Sequence, residues 1–183
     1  MKTSILTIVV CLASLQLFAQ FSGTIAEPEL PKVFIGPGIG LDYGGLGLDI
    51  MAMPSNYVGL FVGVGYNFVG VGFNGGLRAY LSKPSAHVRP YFSGMYGYHT
   101  AIMVQNADQY NKVFYGPTLG FGLDVMSRRN ERNYWTLALH FPIQGSEVED
   151  YMESLRPKGI EFKNKMLPIR FTVGFRLGVG NEY

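Results

Sequence analysis

Cysteine is almost missing from this chain. Of 183 residues only Cys11 is one, which excludes an intrachain disulfide framework and a thiolate metal cluster. Histidine is scarce and scattered, at three positions. No zinc-ligand spacing results, and no metal or other cofactor is expected. Charge is thin as well. Asp, Glu, Lys and Arg make up 15% with a formal net charge of +2, against about a quarter in an ordinary soluble domain. That leaves no basic field for nucleic acid. Past the N-terminal segment, no apolar run reaches the roughly 18 residues of a membrane-spanning helix. The strings "GPGIGLDYGG" and "GVGYNFVGVG" lack the Gly-Lys-Ser/Thr of a phosphate loop, which excludes that reading.

What is abundant is glycine, at 24 residues, and aromatic side chains, at 14%. With so little charge, this is the composition of a β-protein with tight turns and close packing, not of a disordered chain. The length allows one ordinary domain. The chain opens "MKTSILTIVVCLASLQLFAQ": Lys2, an apolar run from Ile5, then small and polar residues. This is the pattern of a secretory signal. Cleavage is expected after Ala19, making 1–19 a signal peptide that takes Cys11 with it, and 20–32 a periplasmic linker. A secreted chain with no spanning helix is either soluble outside the inner membrane or an outer-membrane barrel.

From residue 33 the chain alternates. "VFIGPGIGLDY" (33–43) sets Val33, Ile35, Ile39 and Leu41 against Phe34, Gly36, Gly38, Gly40 and Asp42. "VGVGFNGGLRAYL" (69–81) sets valine, phenylalanine and leucine against glycine, Asn74, Arg78 and Tyr80. "LPIRFTVGFRLGV" (167–179) keeps seven apolar residues, Leu167 to Val179, in strict alternation with Arg170, Thr172, Gly174, Arg176 and Gly178. Similar runs cover 46–53, 58–68, 88–104, 113–125 and 134–143, eight in all. In the noisier 88–104 run, Phe92, Tyr96, Tyr98 and Ile102 face away from Arg89, Ser93 and His99. Most runs are about 9–13 residues long, close to what a tilted membrane strand needs, where soluble strands average nearer 5–6.

The polar face decides which side is wet. It is rich in glycine and has about one charge per run, too little to keep a soluble surface dispersed. It does suit the narrow interior of a closed barrel, with the apolar face turned to lipid. By this alternation seven charges share the lumen: Asp42, Asp49, Arg78, Arg89, Asp124, Arg170 and Arg176, with Asn74, His99 and His140 as its polar residues. The expected fold is all-β: an eight-stranded antiparallel up-and-down transmembrane barrel over residues 33–183.

This pattern resembles the small eight-stranded outer-membrane barrels of the OmpA/OmpX type. The resemblance covers 33–183 and rests on the eight runs and on the closing "PIRFTVGFRLGV", which is similar to the C-terminal signal by which barrels are recognised for insertion. It implies outer-membrane lipid and the barrel-assembly machinery as partners, a monomer, and a location in the outer membrane of a Gram-negative bacterium.

Short connections (54–56, 82–87, 127–133) alternate with longer ones (105–112, 144–166). Both long ones follow odd-numbered runs and so share one end, which is expected to face outward. Within the last, "SEVEDYMESLRPKG" pairs Ser146 with Glu149 as a capping box and spaces Val148, Tyr151, Met152 and Leu155 for a short amphipathic helix. Residues 145–165 are the surface through which an extracellular partner would be met. No catalytic group is expected: Ser93 shares the strand face of His99, but no close serine–histidine pairing in the right frame is found. The leading function is a non-enzymatic structural or surface-interaction barrel with a lumen closed by charge pairs. The alternatives are a lipid A acyl enzyme and a small passive pore.

Overall fold

Strict two-residue alternation gives a sheet one apolar and one polar face, and closure removes the edges that such a sheet would otherwise expose. The computed structural model describes residues 31–104, 108–128, 132–143, 147–158 and 169–179. Among them, eight antiparallel strands close into a barrel in sequence order, with the first pairing the last. They are β1 (Val33–Gly40), β2 (Gly45–Ser55), β3 (Val58–Tyr66), β4 (Val71–Tyr80), β5 (Val88–Ile102), β6 (Lys112–Met126), β7 (Asn133–Pro142) and β8 (Arg170–Val179). One α-helix, α1 (Glu147–Leu155), lies between β7 and β8. The expected eight-stranded antiparallel up-and-down barrel is observed, with one helix in the last connection. The signal peptide, most of the linker, Ser146 and residues 159–165 lie outside the described residues.

The in/out frame follows the alternation. Ile39, Leu46, Val62, Val64 and Val71 are exposed on the outside, while Phe34, Met51, Phe61, Tyr91 and Tyr134 are buried in the lumen. No helix among the described residues is long and apolar enough to cross a membrane, which says nothing about a barrel that crosses with strands. The connections β2–β3, β4–β5 and β6–β7 mark one end, here the turn end. The connections β1–β2, β3–β4, β5–β6 and β7–β8 mark the loop end.

Three departures from the alternation stand out. The first run does not continue as strand to Tyr43. It stops at Gly40, and Leu41–Tyr43 form a 3₁₀ turn folded into the lumen. Leu41, expected on the outer face, is buried inside with Asp42 and Tyr43. The backbone of the turn is held from both sides: Leu41 N donates to Thr172 Oγ1 at 3.1 Å, and Asn74 Nδ2 donates to the Leu41 carbonyl. Gly44, at φ 67, closes it in the left-handed region that favours glycine. The lumen has room because its wall there is bare backbone. A Cβ on Gly63 would strike the Asp42 carbonyl, and one on Gly174 the Tyr43 hydroxyl.

Second, β5 and β6, at 15 residues each, are the longest strands. Pairing to β4 ends at Asn74 with Gly97, and pairing to β7 at Thr118 with Pro142, so the β5–β6 hairpin stands clear of its neighbours at the loop end. A register shift between Tyr98 and Thr100 reverses the phase of the strand, so that His99 and Thr100 are both buried. Ile102, expected to face outward, therefore packs with Val104, Phe114, Val148 and Leu155 beneath α1. Third, β4 begins at Val71. Residues before it turn on Asn67, whose Oδ1 accepts from Val69 N at 3.2 Å and Gly70 N at 3.0 Å.

Candidate functional site

Strand alternation aims Asp49, Arg78, Asp124, Thr136, His140 and Arg176 at the barrel axis, and the inward turn adds Asp42 among them. Arg78 closes an ion pair on Asp42 and reaches Asp124 at 3.4 Å. Arg176 pairs with Asp49, its Nε donating at 2.8 Å, and stands 4.0 Å from Asp42. Thr136 joins the two halves: its hydroxyl donates to Asp124 Oδ1 at 2.7 Å and accepts from Arg176 Nη1 at 2.9 Å. Tyr80 donates a second bond to Asp124, at 2.7 Å. His140 Nε2 lies 3.1 Å from Asp42 Oδ1. The guanidinium of Arg78 also stacks 4.2 Å from the Tyr91 ring centroid, and that of Arg176 lies 5.4 Å from the Tyr43 ring.

These charges are fully enclosed. Arg78, Arg176 and Asp42 are all 0% exposed. Removing such ions from water costs several kcal/mol each, on the order expected for low-dielectric surroundings, and only close partners offset it. Chemically the arrangement is a cross-brace. It ties β2, β4, β6, β7, β8 and the inward turn through bonds that strengthen one another where water is excluded.

Five of the seven charges placed in the lumen by alternation meet in this network. Two do not. Arg89 lies at the turn end, where Nη2 donates to the Asn56 carbonyl at 2.5 Å and the guanidinium stacks 4.1 Å from the Tyr80 ring. Arg170 is the first residue of β8 and sits half-buried at the loop-end rim. Alternation tells in from out but not height along the axis, and height separates these two from the rest. Of the polar residues, Asn74 clamps the inward turn and His140 joins Asp42. His99 stays apart, its Nδ1 3.0 Å from Thr100 Oγ1. Tyr80 and Thr136 are network members that charge alone did not pick out, although both share the lumen phase of their strands. Among the described residues, no cluster of three or more His, Cys, Asp or Glu could hold a metal.

Ser93 and His140 come near one another across Gly120 without pairing. Ser93 pairs with Gly120 across β5–β6, and Gly120 pairs with His140 across β6–β7. On this one rung the Ser93 hydroxyl and His140 Nδ1 both crowd the glycine from its two sides. Neither atom has a hydrogen-bond partner among the described residues. The rung follows from inter-strand register, which no single strand's pattern contains.

Comparison with known proteins adds little to this geometry. No known protein family matches the chain. No curated protein matches it either. Among solved structures, the crystal structure of the N-terminal β-barrel domain of Pseudomonas aeruginosa OprF aligns with 81% of this chain and 98% of its own, at 13% identity and a TM-score of 0.43.

Proposed function

We propose that this chain is an integral outer-membrane barrel of the OmpA/OmpX type, a sealed cylinder with a structural or surface-interaction role and no catalysis. One observation carries the reading: the barrel is apolar outside and ionic inside. Val62 is 65% and Ile39 63% exposed, on a surface of aliphatic and aromatic side chains, while both guanidiniums of the network are buried. Water would penalise that outer face, and a bilayer rewards it. Closure leaves no strand edge to satisfy. The filled lumen supports a structural role over a passive pore. The loop end carries the tall β5–β6 hairpin and α1, whose Glu149, Asp150 and Glu153 are exposed, and it offers the surface for an extracellular partner. β8 is the element through which the assembly machinery would receive the chain.

Fractionation and gel mobility test this together. The protein should sediment with outer membranes and, unheated in detergent, migrate faster than after boiling. Recovery from the soluble periplasm, or one mobility under both conditions, counts against it.

A lipid-modifying enzyme is the second reading, favoured by the proximity of Ser93, His140 and Asp42. Against it, these side chains lie inside the sealed lumen, with Ser93 5% exposed. A fluorophosphonate probe that labels the folded protein at Ser93 would establish a reactive serine. Absence of labelling leaves the structural reading in place.

A further inference from the structure

The inward turn Leu41–Tyr43 hangs between two glycines, Gly40 at φ 132 and Gly44 at φ 67. L side chains rarely adopt either conformation, so the turn joins β1 and β2 through the residues most able to swing. Its seat is bare backbone. A Cβ on Gly38, Gly47, Gly63, Gly65, Gly72 or Gly174 would strike the turn or Gly44 behind it. These glycines come from β1, β2, β3, β4 and β8. With the turn seated, the lumen is shut at that level. With the turn withdrawn, the wall there carries no side chain at those positions, and the volume of the turn is left to water.

The sequence also fits the withdrawn position. Leu41 and Asp42 continue the phase of β1, apolar outward and polar inward, so the same residues would serve in a taller β1–β2 hairpin. What favours the seated form is contact inside the lumen, above all Asp42 with Arg78.

That ion pair differs from its neighbours. The network holds three carboxylates, Asp42, Asp49 and Asp124, against two guanidiniums, Arg78 and Arg176. Arg78 is shared, with Asp124 also 3.4 Å away. Arg176 belongs to Asp49, its Nε donating at 2.8 Å. Once Asp42 leaves, each guanidinium keeps one carboxylate, and those four charges balance. Asp42 itself passes to water, where a carboxylate needs no protein partner. The pair can therefore open without leaving an uncompensated charge buried in the lumen.

We propose that the β1–β2 turn is a two-state plug: seated, it seals the lumen; swung out on Gly40 and Gly44 toward the loop end, it opens a path for water and small ions through the barrel. The proposal rests on the outer-membrane barrel reading and adds a gated path to its sealed resting form.

Planar-bilayer recording of the full-length protein in potassium chloride tests the plug. The parent should stay closed for most of the record. Asp42→Asn, which unties the turn from Arg78, and Gly44→Val, which strains the seated turn at its positive φ, should each raise the open fraction roughly tenfold. Both should show the same unitary level, because the same element has moved. Asp124→Asn has the opposite sign. It leaves Arg78 to Asp42 alone, so in the Gly44→Val chain it should lower the open fraction by a similar, roughly tenfold factor. A lumen merely loosened by lost charge would open more instead. Each variant's heat-dependent gel mobility confirms that it folds. Silence in both folded single variants, different unitary levels in the two, or an open fraction that Asp124→Asn leaves unchanged or raises overturns the plug. A parent that fractionates with outer membranes and shows the mobility shift, while its folded variants stay silent, loses the plug and keeps the barrel reading.

Discussion

Arg78 on β4 and Asp42 in the β1–β2 turn, 36 residues apart in sequence, meet as a fully buried ion pair on the barrel axis. Neither strand alternation nor hairpin pairing alone brings them together. The inward turn does, by placing a carboxylate where a strand would have carried it past the rim. Arg78 then serves Asp42 and Asp124 at once, and the lumen is filled by the groups that neutralise one another.

Removal of that guanidinium takes a cation from two buried carboxylates at once. Arg78→Met keeps much of the side-chain volume and should cost about 3–5 kcal/mol, as for other broken buried pairs. The urea midpoint of the protein refolded in lipid vesicles measures it. Restoration of part of the loss by Asp42→Asn in the same chain would trace the cost to the unpaired charge. An unchanged midpoint in the single variant would argue that water, not Arg78, solvates the aspartates.

The glycines of the lumen wall are not equivalent. Gly63→Ala sets a methyl against the Asp42 carbonyl, whereas Gly70, in the β3–β4 connection, has nothing within 4 Å of a built Cβ. Overpacking of this kind costs about 1–3 kcal/mol, so Gly63→Ala should lower the folded fraction on unheated gels while Gly70→Ala leaves it unchanged. Equal tolerance of the two would mean that the inward turn moves freely in the lumen.

The outer face predicts a different asymmetry. Val173→Arg puts a charge among exposed apolar side chains and should cost about 2–4 kcal/mol at mid-bilayer depth, whereas Val173→Leu should be silent. Insertion into vesicles, followed by protease protection, reads the difference. Equal insertion of both variants would indicate an aqueous outer face.

Orientation can be read with thiols. Glu153→Cys on α1 and Lys83→Cys in the β4–β5 connection are both exposed positions. With the loop end outside, a membrane-impermeant maleimide should label the first in intact cells and the second only after the outer membrane is permeabilised. The reverse order of labelling would invert the barrel.

The sequence made the strands legible because their phase is a strictly local property. Val173 and Thr172 are told apart by parity alone, and the same parity located Asp49, Asp124 and Arg176. The inward turn was hidden because Leu41 and Asp42 continue the phase of β1: an apolar residue sits where lipid was expected and an acid where the lumen was expected, so alternation saw no break. Ile102 was misplaced for the opposite reason, since the irregularity at His99 reverses the phase without any glycine or proline at that residue to announce it. Arg89 and Arg170 show what parity omits. Both sit on the polar face of their strands, but height along the axis depends on register and shear across the sheet. The Ser93–Gly120–His140 rung is likewise a product of register. The helix was legible from its 3.6-residue spacing, with Val148 and Leu155 buried as that spacing requires.

The clamp on the inward turn joins the two ends of the chain: Leu41 to Thr172 spans 131 positions, and Asp49 to Arg176 spans 127. Contacts of such sequence separation form late, after the loop-closure entropy has been met. A nascent sheet of β1 to β7 would hold Asp42 and Asp49 without Arg176, and Leu41 N without Thr172. In a lipid surrounding, those bare groups would oppose stepwise insertion, hairpin by hairpin. Closure of β8 on β1 and seating of the turn therefore form one cooperative event. A chain truncated before β8 should populate no partly inserted barrel, only an unfolded or aggregated state.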